Sequence, residues 1–241
     1  MQQAFDFPET AEPGSFRFNG AALVSDPSGA LWWPAERCLV VADLHLEKGS
    51  SFAARGQFLP PYDSRATLER LQEVIARLQP KRVICLGDSF HDAEAGGRLS
   101  DAEKERLRAL TSGHDWIWIT GNHDPEPPRE LGGDVLNEVE MHRLIFRHEA
   151  EESPEGYGEV SGHYHPKAAV RVKGRRFSRP CFAFDEGRLI LPSFGAYTGG
   201  LDVLAPALRE LLAPGFRVRL ISARKVYAFS SEMLEPFGVP A

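Results

Sequence analysis

The sequence predicts a single α/β domain over residues 1–241, in which two packed sheets carry helices on their outer faces. In the first half, short apolar runs rich in β-formers alternate with helical patterns, which is typical of a parallel or mixed sheet covered by helices. The second half consists mainly of short β-rich runs separated by turn residues, which predicts a second sheet. No linker long enough to separate domains occurs, so we expect one domain.

Three apolar runs in the first half predict buried strands: Cys38–Ala42, Arg82–Leu86 and Trp116–Thr120. Apolar residues at helical spacing from Leu68 to Leu78 predict a helix that stops before Pro80. A second helix is expected to begin at Ser100, because Ser100–Glu103 has the spacing of a capping box, and to end at Gly113.

Six runs in the second half predict further strands: Leu144–Phe146, Tyr157–Ser161, Ala168–Val172, Cys181–Phe184, Leu189–Leu191 and Val218–Ile221. One helix interrupts them in this prediction. It has Pro206 near its start, Leu208, Leu211 and Leu212 on its apolar side, and its end before Pro214.

The composition is that of an ordinary globular protein, with 42% hydrophobic and 26% charged residues. The N-terminal stretch is acidic and no run of about 18 apolar residues occurs, so we expect neither a secretory signal nor a membrane span. Cys38, Cys85 and Cys181 are widely spaced and odd in number, which indicates reduced thiols and a cytoplasmic location. The net charge of −6 argues mildly against a surface broadly adapted to polyanions, although bound divalent cations would reverse the charge locally.

Polar residues follow each of the three strands of the first half: Asp43 and His45, then Asp88, then Asn122, His123 and Asp124. Ligands of open α/β sheets bind beyond the carboxyl ends of the strands, so these side chains should converge. The second half adds His148 after one β-rich run, and His163 and His165 after another. Gly87 and Gly121 would permit a tight turn or a close backbone approach just before a ligand.

Carboxylates, imidazoles and an amide oxygen together suit Mn²⁺, Fe or Zn²⁺. No cysteine belongs to the set, which argues against a structural zinc site. Each short motif alone has an ordinary reading as a turn or a structural histidine. Their joint occurrence, in order and at strand ends, indicates a metal centre.

These motifs, Asp43-x-His45, Gly87-Asp88, Gly121-Asn122-His123-Asp124, His148 and Gly162-His163-x-His165, resemble those of the calcineurin-like metallophosphoesterase superfamily. The resemblance implies a four-layer α/β/β/α sandwich with a two-metal site at one edge. It implies that Asp43, His45 and His165 bind one metal, that Asn122, His148 and His163 bind the other, and that Asp88 bridges them. For the fifth ligand we prefer His148 over His142, because His148 directly follows the apolar strand.

A finer resemblance covers nearly the whole chain. The stretches 42–51, 59–63 (Leu-Pro-Pro-Tyr-Asp), 87–92 and 194–200 resemble the bacterial ligase-associated DNA-damage-response endonuclease family. This resemblance implies a phosphodiester substrate, DNA in particular, and DNA ligase, helicase and exonuclease proteins as possible partners.

Two divalent metals about 3.5–4 Å apart can acidify a water molecule so that it attacks phosphorus near neutral pH. His123 is our candidate general acid for the leaving oxygen, with Asp124 orienting its imidazole. His91 and Asp92 could contact substrate, act through a ligand or begin the next loop. Tyr197 and Thr198 could line the substrate groove.

The basic stretches Lys173–Arg176 with Arg179, and Arg143 with Arg147, could serve a phosphate or belong to a solvated hairpin or strand edge. Three functions remain open from sequence. The first is a nuclease or nucleotide phosphodiesterase, the second a general phosphomonoesterase using the same metals, and the third a non-catalytic scaffold in a DNA-repair complex. The complete set of ligands weighs against the scaffold.

Overall fold

A computed structural model describes residues 14–57 and 62–237. Of the 59–63 motif, Leu59, Pro60 and Pro61 therefore lie outside the described residues. The described chain forms two β-sheets with helices on their outer faces. None of its described helices combines the length and the apolar character that crossing a bilayer requires.

The first sheet has seven strands in sequence order: β1 Ser15–Phe18, β2 Ala21–Ser25, β3 Leu31–Trp33, β4 Cys38–Val41, β5 Arg82–Leu86, β6 Asp115–Ile119 and β7 Asp134–Leu136. Strands β1 to β4 pair antiparallel, and β4 to β7 pair parallel. Every residue of β4 is buried because the sheet is covered on both faces, which explains its uninterrupted apolar sequence.

Four helices accompany the parallel strands: α1 Lys48–Ala54, α2 Asp63–Leu78, α3 Ala95–Arg98 and α4 Asp101–Ser112. Helix α2 ends at Leu78 as predicted, with Gln79 in the left-handed conformation before Pro80. The capping box at Ser100 and Glu103 is present, and Gly113 caps the other end of α4. Leu71 and Leu107 pack with Val83 and Trp118 in the core between these helices and the sheet.

The second sheet contains nine strands: β8 Glu138–Met141, β9 Leu144–Arg147, β10 Gly158–Ser161, β11 Pro166–Val172, β12 Arg175–Phe184, β13 Arg188–Ile190, β14 Leu201–Asp202, β15 Arg217–Ile221 and β16 Val226–Ser230. Its main path runs β14-β11-β12-β13-β10-β9-β8, while β15 pairs with β12 and β16. Strands β9, β10 and β13 are mutually parallel, which brings their carboxyl ends to one edge.

The two sheets pack face to face through a shared core that includes Val40 and Ile84 of the first sheet and Phe146 and Phe182 of the second. On the far side of the second sheet, α5 Pro206–Arg209 and the turn after it cover a third cluster, which includes Leu208. The predicted four-layer α/β/β/α sandwich is confirmed. Its fourth layer is thin, because α5 is only one turn long.

Several strands were not predicted. Strand β1 alternates polar and apolar residues but over only four positions, and β2, β3 and β16 are three to five residues long without regular alternation. The first half of β12 is charged and partly exposed, so its sequence fits a solvated hairpin as well as the strand edge that it forms. The predicted helix at Pro206 is real, but it ends at Arg209 instead of continuing to Pro214. The residues after it form turns that pack Leu212 into the same cluster.

Candidate metal centre

The predicted ligands lie where two sets of parallel strands end. Asp43, Asp88 and Asn122 follow the neighbouring strands β4, β5 and β6, so all three emerge at one edge of the first sheet. His148 follows β9, and His163 and His165 follow β10, its parallel neighbour. Ala42 forms a parallel bridge with Ser193, which joins the ends of the two sheets.

The backbone bends sharply at these residues. Positive φ angles, which are uncommon for residues other than glycine, occur at five predicted ligands: Asp43 (52°), His45 (44°), Asp88 (45°), His163 (68°) and His165 (46°). Such conformations cost free energy and persist where the surrounding structure holds them, often at functional sites. They turn successive side chains toward one point, which an extended strand would not do.

Two glycines let the site close. A Cβ atom on Gly87, whose φ is 68°, would lie 2.5 Å from the ring of His148. A Cβ atom on Gly121 would lie 2.3 Å from the backbone N and from Oδ1 of Asp88. Glycine is therefore required at both positions because the chain passes against a predicted ligand.

The first group of donors consists of Asp43, His45 and His165, whose ligand atoms all lie within 4.8 Å of one another. Nε2 of His45 is 3.3 Å from Nε2 of His165, which in turn is 3.5 Å from Oδ1 of Asp43. Asp43 and His45 are buried. The backbone N–H of His163 donates to the carboxylate of Asp43 at 3.0 Å, which orients that carboxylate.

The second group consists of Asp88, His148 and His163, again within 4.8 Å. Oδ1 of Asn122 joins it at 3.0 Å from Nε2 of His148, and Nδ1 of His163 lies 3.1 Å from the same nitrogen. Asp88 lies between the groups, with Oδ1 at 3.4 Å from His148 Nε2 and Oδ2 at 4.0 Å from His45 Nε2.

The donor set fits divalent cations. Nδ1 of His148 is 2.9 Å from the carbonyl oxygen of Leu86, which can only accept, so Nδ1 donates this hydrogen bond and Nε2 is the ring nitrogen left to bind a metal. Nε2 lies 3.0 Å from Oδ1 of Asn122 and 3.4 Å from Oδ1 of Asp88, two oxygens that can themselves bind a divalent cation. Burial, reinforced by the neighbouring imidazoles, lowers the pKa of His45 to about 2, and burial also lowers the pKa of His163. Both rings are thereby kept in the neutral form that binds metal.

His142, the competitor for the fifth position, lies elsewhere. Its Nε2 is 2.8 Å from Oε1 of Glu36, and its side chain is 64% exposed. His148 is buried among the other donors. The geometry therefore favours His148, as the position after the apolar strand had indicated.

His123 lies beside the second group and is partly exposed. Its Nδ1 is 2.9 Å from the carbonyl oxygen of His91, its Nε2 is 3.9 Å from Oδ2 of Asp88, and its side chain is 42% exposed. The ring of His91 stacks on it at 5.3 Å between centroids, with 19° between the planes. His91 therefore supports His123 through both its ring and its carbonyl.

Asp124 does not orient His123 in the way we expected. It is buried, and its Oδ2 accepts the backbone N–H of Phe90 at 3.1 Å, while its Oδ1 has no hydrogen-bond partner among the described residues. Burial raises the pKa of this carboxyl to about 7. The backbone turns Asp124 inward, beneath the 88–90 loop, so its contacts shape that loop and the His91 carbonyl holds the imidazole.

The other polar candidates have structural partners. Asp92 forms a salt bridge with Arg98 at 2.8 Å. Arg147 is buried and pairs with Glu138 at 3.0 Å, and it lies 3.7 Å from Glu159. Lys173–Arg176 includes the turn between β11 and β12, which is the solvated hairpin of the simpler interpretation.

The loop that follows β13 secures the Asp43 turn, a role that the sequence did not reveal. Ser193 Oγ donates to the carbonyl oxygen of Asp43 at 2.8 Å, and the backbone N–H of Gly195 donates to the same oxygen at 3.0 Å. A further N–H, that of Ala196, donates to Thr67 on α2 at 2.9 Å. Beside this loop lies a cleft that includes Arg70 and Lys167, two residues that sequence reasoning also missed. Arg70 carries no signal, because it resembles any charged residue on an amphipathic helix.

The chain belongs to the calcineurin-like phosphoesterase family, whose model matches residues 36–203. It is thus a metal-dependent phosphoesterase by family, and the donor groups described above lie within the matched region. Among solved structures it is similar to a nuclease of Pseudomonas putida, called MPE, with a TM-score of 0.72 and 30% identity over 90% of this chain and 100% of that one.

A second solved structure, an uncharacterized protein of Streptococcus pneumoniae, aligns with a TM-score of 0.31 and 15% identity over 80% of this chain and 96% of that one. This TM-score is too low for the second structure to support an argument. Comparison with curated proteins gave no significant match.

Proposed function

We propose that this protein is a two-metal phosphodiesterase that cleaves nucleic acid. The observation that carries the proposal is the convergence of two donor groups, Asp43, His45 and His165 on one side and Asp88, His148 and His163 on the other, with an exposed imidazole beside them. The finer part of the proposal, nucleic acid as substrate, is supported by the 30% identity to a nuclease and by the motif resemblance to the ligase-associated endonucleases.

The residues would divide as follows. One cation would be held by Asp43, His45 and His165, and the other by Asn122, His148 and His163, while Asp88 would reach both. This donor set suits Mn²⁺ best, and Fe and Zn²⁺ are the alternatives. Two such cations would supply charge stabilisation for the phosphoryl oxygens and an acidified water as nucleophile. The carbonyl of Leu86 and the backbone N–H of His163 would keep the ligands His148 and Asp43 correctly oriented.

His123 would act as the general acid. Because its Nδ1 is engaged by the His91 carbonyl, Nε2 is the ring nitrogen that faces the donor groups, 3.9 Å from Oδ2 of Asp88. From there it can give a proton to the leaving oxygen as the P–O bond breaks. It needs no metal contact to do so.

An assay with purified protein and Mn²⁺ tests the proposal. It compares bis(p-nitrophenyl) phosphate, p-nitrophenyl phosphate, and single- and double-stranded DNA. We expect hydrolysis of the phosphodiester and of at least one form of DNA. Activity on the monoester alone would defeat the nuclease, and two bound ions with no hydrolysis would indicate the scaffold function.

A matched pair of histidine variants tests the ligand assignment. His148→Ala should lose close to one equivalent of bound metal and most of the phosphodiesterase activity. His142→Ala removes an exposed imidazole six residues earlier, and should retain both metal and activity. A wild-type metal content in His148→Ala would show that this residue is not a ligand.

We extend the same proposal to a role in DNA repair, in which the protein would act together with a ligase, a helicase or an exonuclease. Its support is the motif resemblance alone. Affinity purification from cells with and without DNA damage, followed by mass spectrometry, tests it, and recovery of none of these three partners would contradict it.

A further inference from the structure

A cationic cleft adjoins the candidate metal centre. Its volume is about 260 Å³, and His165 of the first donor group forms part of its wall. Arg70 of α2 and Lys167 of β11 line it from opposite elements, whereas no acidic residue is among the described residues that line it. A cavity with two cations and no carboxylate favours an anion.

Arg70 has two guanidinium nitrogens without an acceptor among the described residues. Its guanidinium carbon lies 4.2 Å from the centroid of the buried Phe194 ring. Its Nε and Nη2 atoms are buried and have no hydrogen-bond partner among the described residues. Burial lowers the pKa of this guanidinium, which expresses the cost of leaving it without an anion. An anion bound in the cleft would supply acceptors for these two nitrogens.

The surroundings of Arg70 and Lys167 fix their positions. Thr67, one turn before Arg70 on α2, accepts the N–H of Ala196 at 2.9 Å, which ties the helix to the loop on the other side of the cleft. A Cβ atom on Gly200 would lie 2.5 Å from the Lys167 side chain, so the glycine leaves room for the methylene groups of that lysine. The fold therefore sets the positions of the Arg70 and Lys167 side chains in the cleft.

Nucleic acid is the anion that the rim of the cleft favours. Tyr197 also lines the cleft, and its side chain is 46% exposed. An exposed aromatic ring beside a positively charged groove is the combination that single-stranded nucleic acids use, with a base on the ring and the phosphate on the cations.

We propose that this cleft is a subsite for a second phosphate of the substrate, one internucleotide unit away from the phosphate at the metal centre, bound by Arg70 and Lys167. This inference rests on the proposed phosphodiesterase function. It makes the enzyme select an oligonucleotide over a diester with a single phosphate. Arginine suits the role because its planar donors match two phosphate oxygens.

Substrates with and without a second phosphate test the subsite. We would measure kcat/KM of wild type, Arg70→Gln and Lys167→Gln on octathymidylate and on bis(p-nitrophenyl) phosphate. Each variant should lower the ratio of kcat/KM for octathymidylate to kcat/KM for bis(p-nitrophenyl) phosphate by about tenfold or more. This is the effect expected from the loss of one charge-assisted hydrogen bond. The dependence of oligonucleotide kcat/KM on salt should also become shallower, by about 0.7 in logarithmic slope for each lost phosphate contact.

Arg65→Gln is the matched control. It removes the same charge from the same helix, but its side chain is 69% exposed and pairs with Glu69. It should leave both the substrate ratio and the salt slope unchanged. Because Arg70→Gln could disturb folding, Lys167→Gln, on a different element, provides an independent variant with the same expectation.

The failures of the two proposals are distinguishable. If wild type cleaves both diesters and neither Arg70→Gln nor Lys167→Gln changes their ratio, the subsite is refuted and the phosphodiesterase function stands. If wild type with Mn²⁺ cleaves neither diester, the proposed function fails and the subsite with it. A larger effect of both variants on diadenosine pyrophosphate than on octathymidylate would assign the cleft to a nucleotide anhydride and overturn the nucleic-acid assignment.

Discussion

Replacing Gly121 with alanine is the most direct test of how closely the site is packed. The added Cβ atom would lie 2.3 Å from the backbone N and Oδ1 of Asp88, and 2.7 Å from Oδ1 of Asp124. Backbone cannot rotate away as the end of a flexible side chain can, so the turn that carries Asn122 or the one that carries Asp88 must move by about 1 Å. A displacement of about 1 Å at a catalytic site can cost about 100-fold in rate.

We therefore expect Gly121→Ala to lower phosphodiesterase kcat/KM by about 100-fold or more and to reduce Mn²⁺ binding. Overpacking should also reduce the free energy of unfolding by roughly 1–3 kcal/mol. The measurements are steady-state kinetics, metal content by plasma mass spectrometry, and urea unfolding. All three use the same preparations of wild-type and variant protein.

The control is Gly97→Ala in α3, where a Cβ atom would meet nothing within 4 Å. It should be neutral in activity and neutral or slightly stabilising, because alanine is the better helix former. Wild-type metal content and activity in Gly121→Ala would refute the reasoning. Either the turn would then be far softer than its contacts indicate, or Asp88 would not be a ligand.

Three other predictions concern the acid, the metals and a helix cap. His123→Ala should keep near-wild-type metal content while turnover falls about 10²–10⁴-fold, and unchanged turnover would exclude the general-acid role. Chelation with EDTA should lower the Tm, measured by calorimetry, by roughly 5 °C or more, because ions that bind only the folded state stabilise it. An unchanged Tm would count against the metal centre. Ser100→Ala removes the acceptor of the Glu103 N–H, and urea unfolding should show a loss of about 1 kcal/mol without loss of metal; a neutral result would mean that the capping box contributes nothing.

Much of the fold could be predicted from local features of the sequence. The continuous apolar runs of β4, β5 and β6 exist because these strands are buried on both faces, and that requirement is visible in the sequence. The capping box of α4 and the stop before Pro80 are likewise local. Short strands such as β1 and β16 are not buried on both faces, so no buried apolar run marks them, and pairing with a neighbouring strand defines them.

The convergence of the candidate ligands could be predicted from the sequence for a related reason. A parallel sheet collects the carboxyl ends of its strands, so residues that follow strands converge whatever their separation in sequence. The local partners of those residues were not readable. The carbonyl that holds His123 belongs to His91, and Asp124 turns inward to Phe90, because positive φ angles and loop packing decide where adjacent side chains point.

By itself, the sequence determined the class of fold and the positions of the three central strands, and it identified candidate donors for a metal site. These depend on residue type, burial period and order along the chain. Only the tertiary structure showed that the His91 carbonyl holds His123, that Asp124 turns inward to Phe90, and that Arg70 and Lys167 share one cleft beside His165. Those outcomes depend on contacts between residues far apart in the chain, and no local pattern encodes which distant atoms will meet.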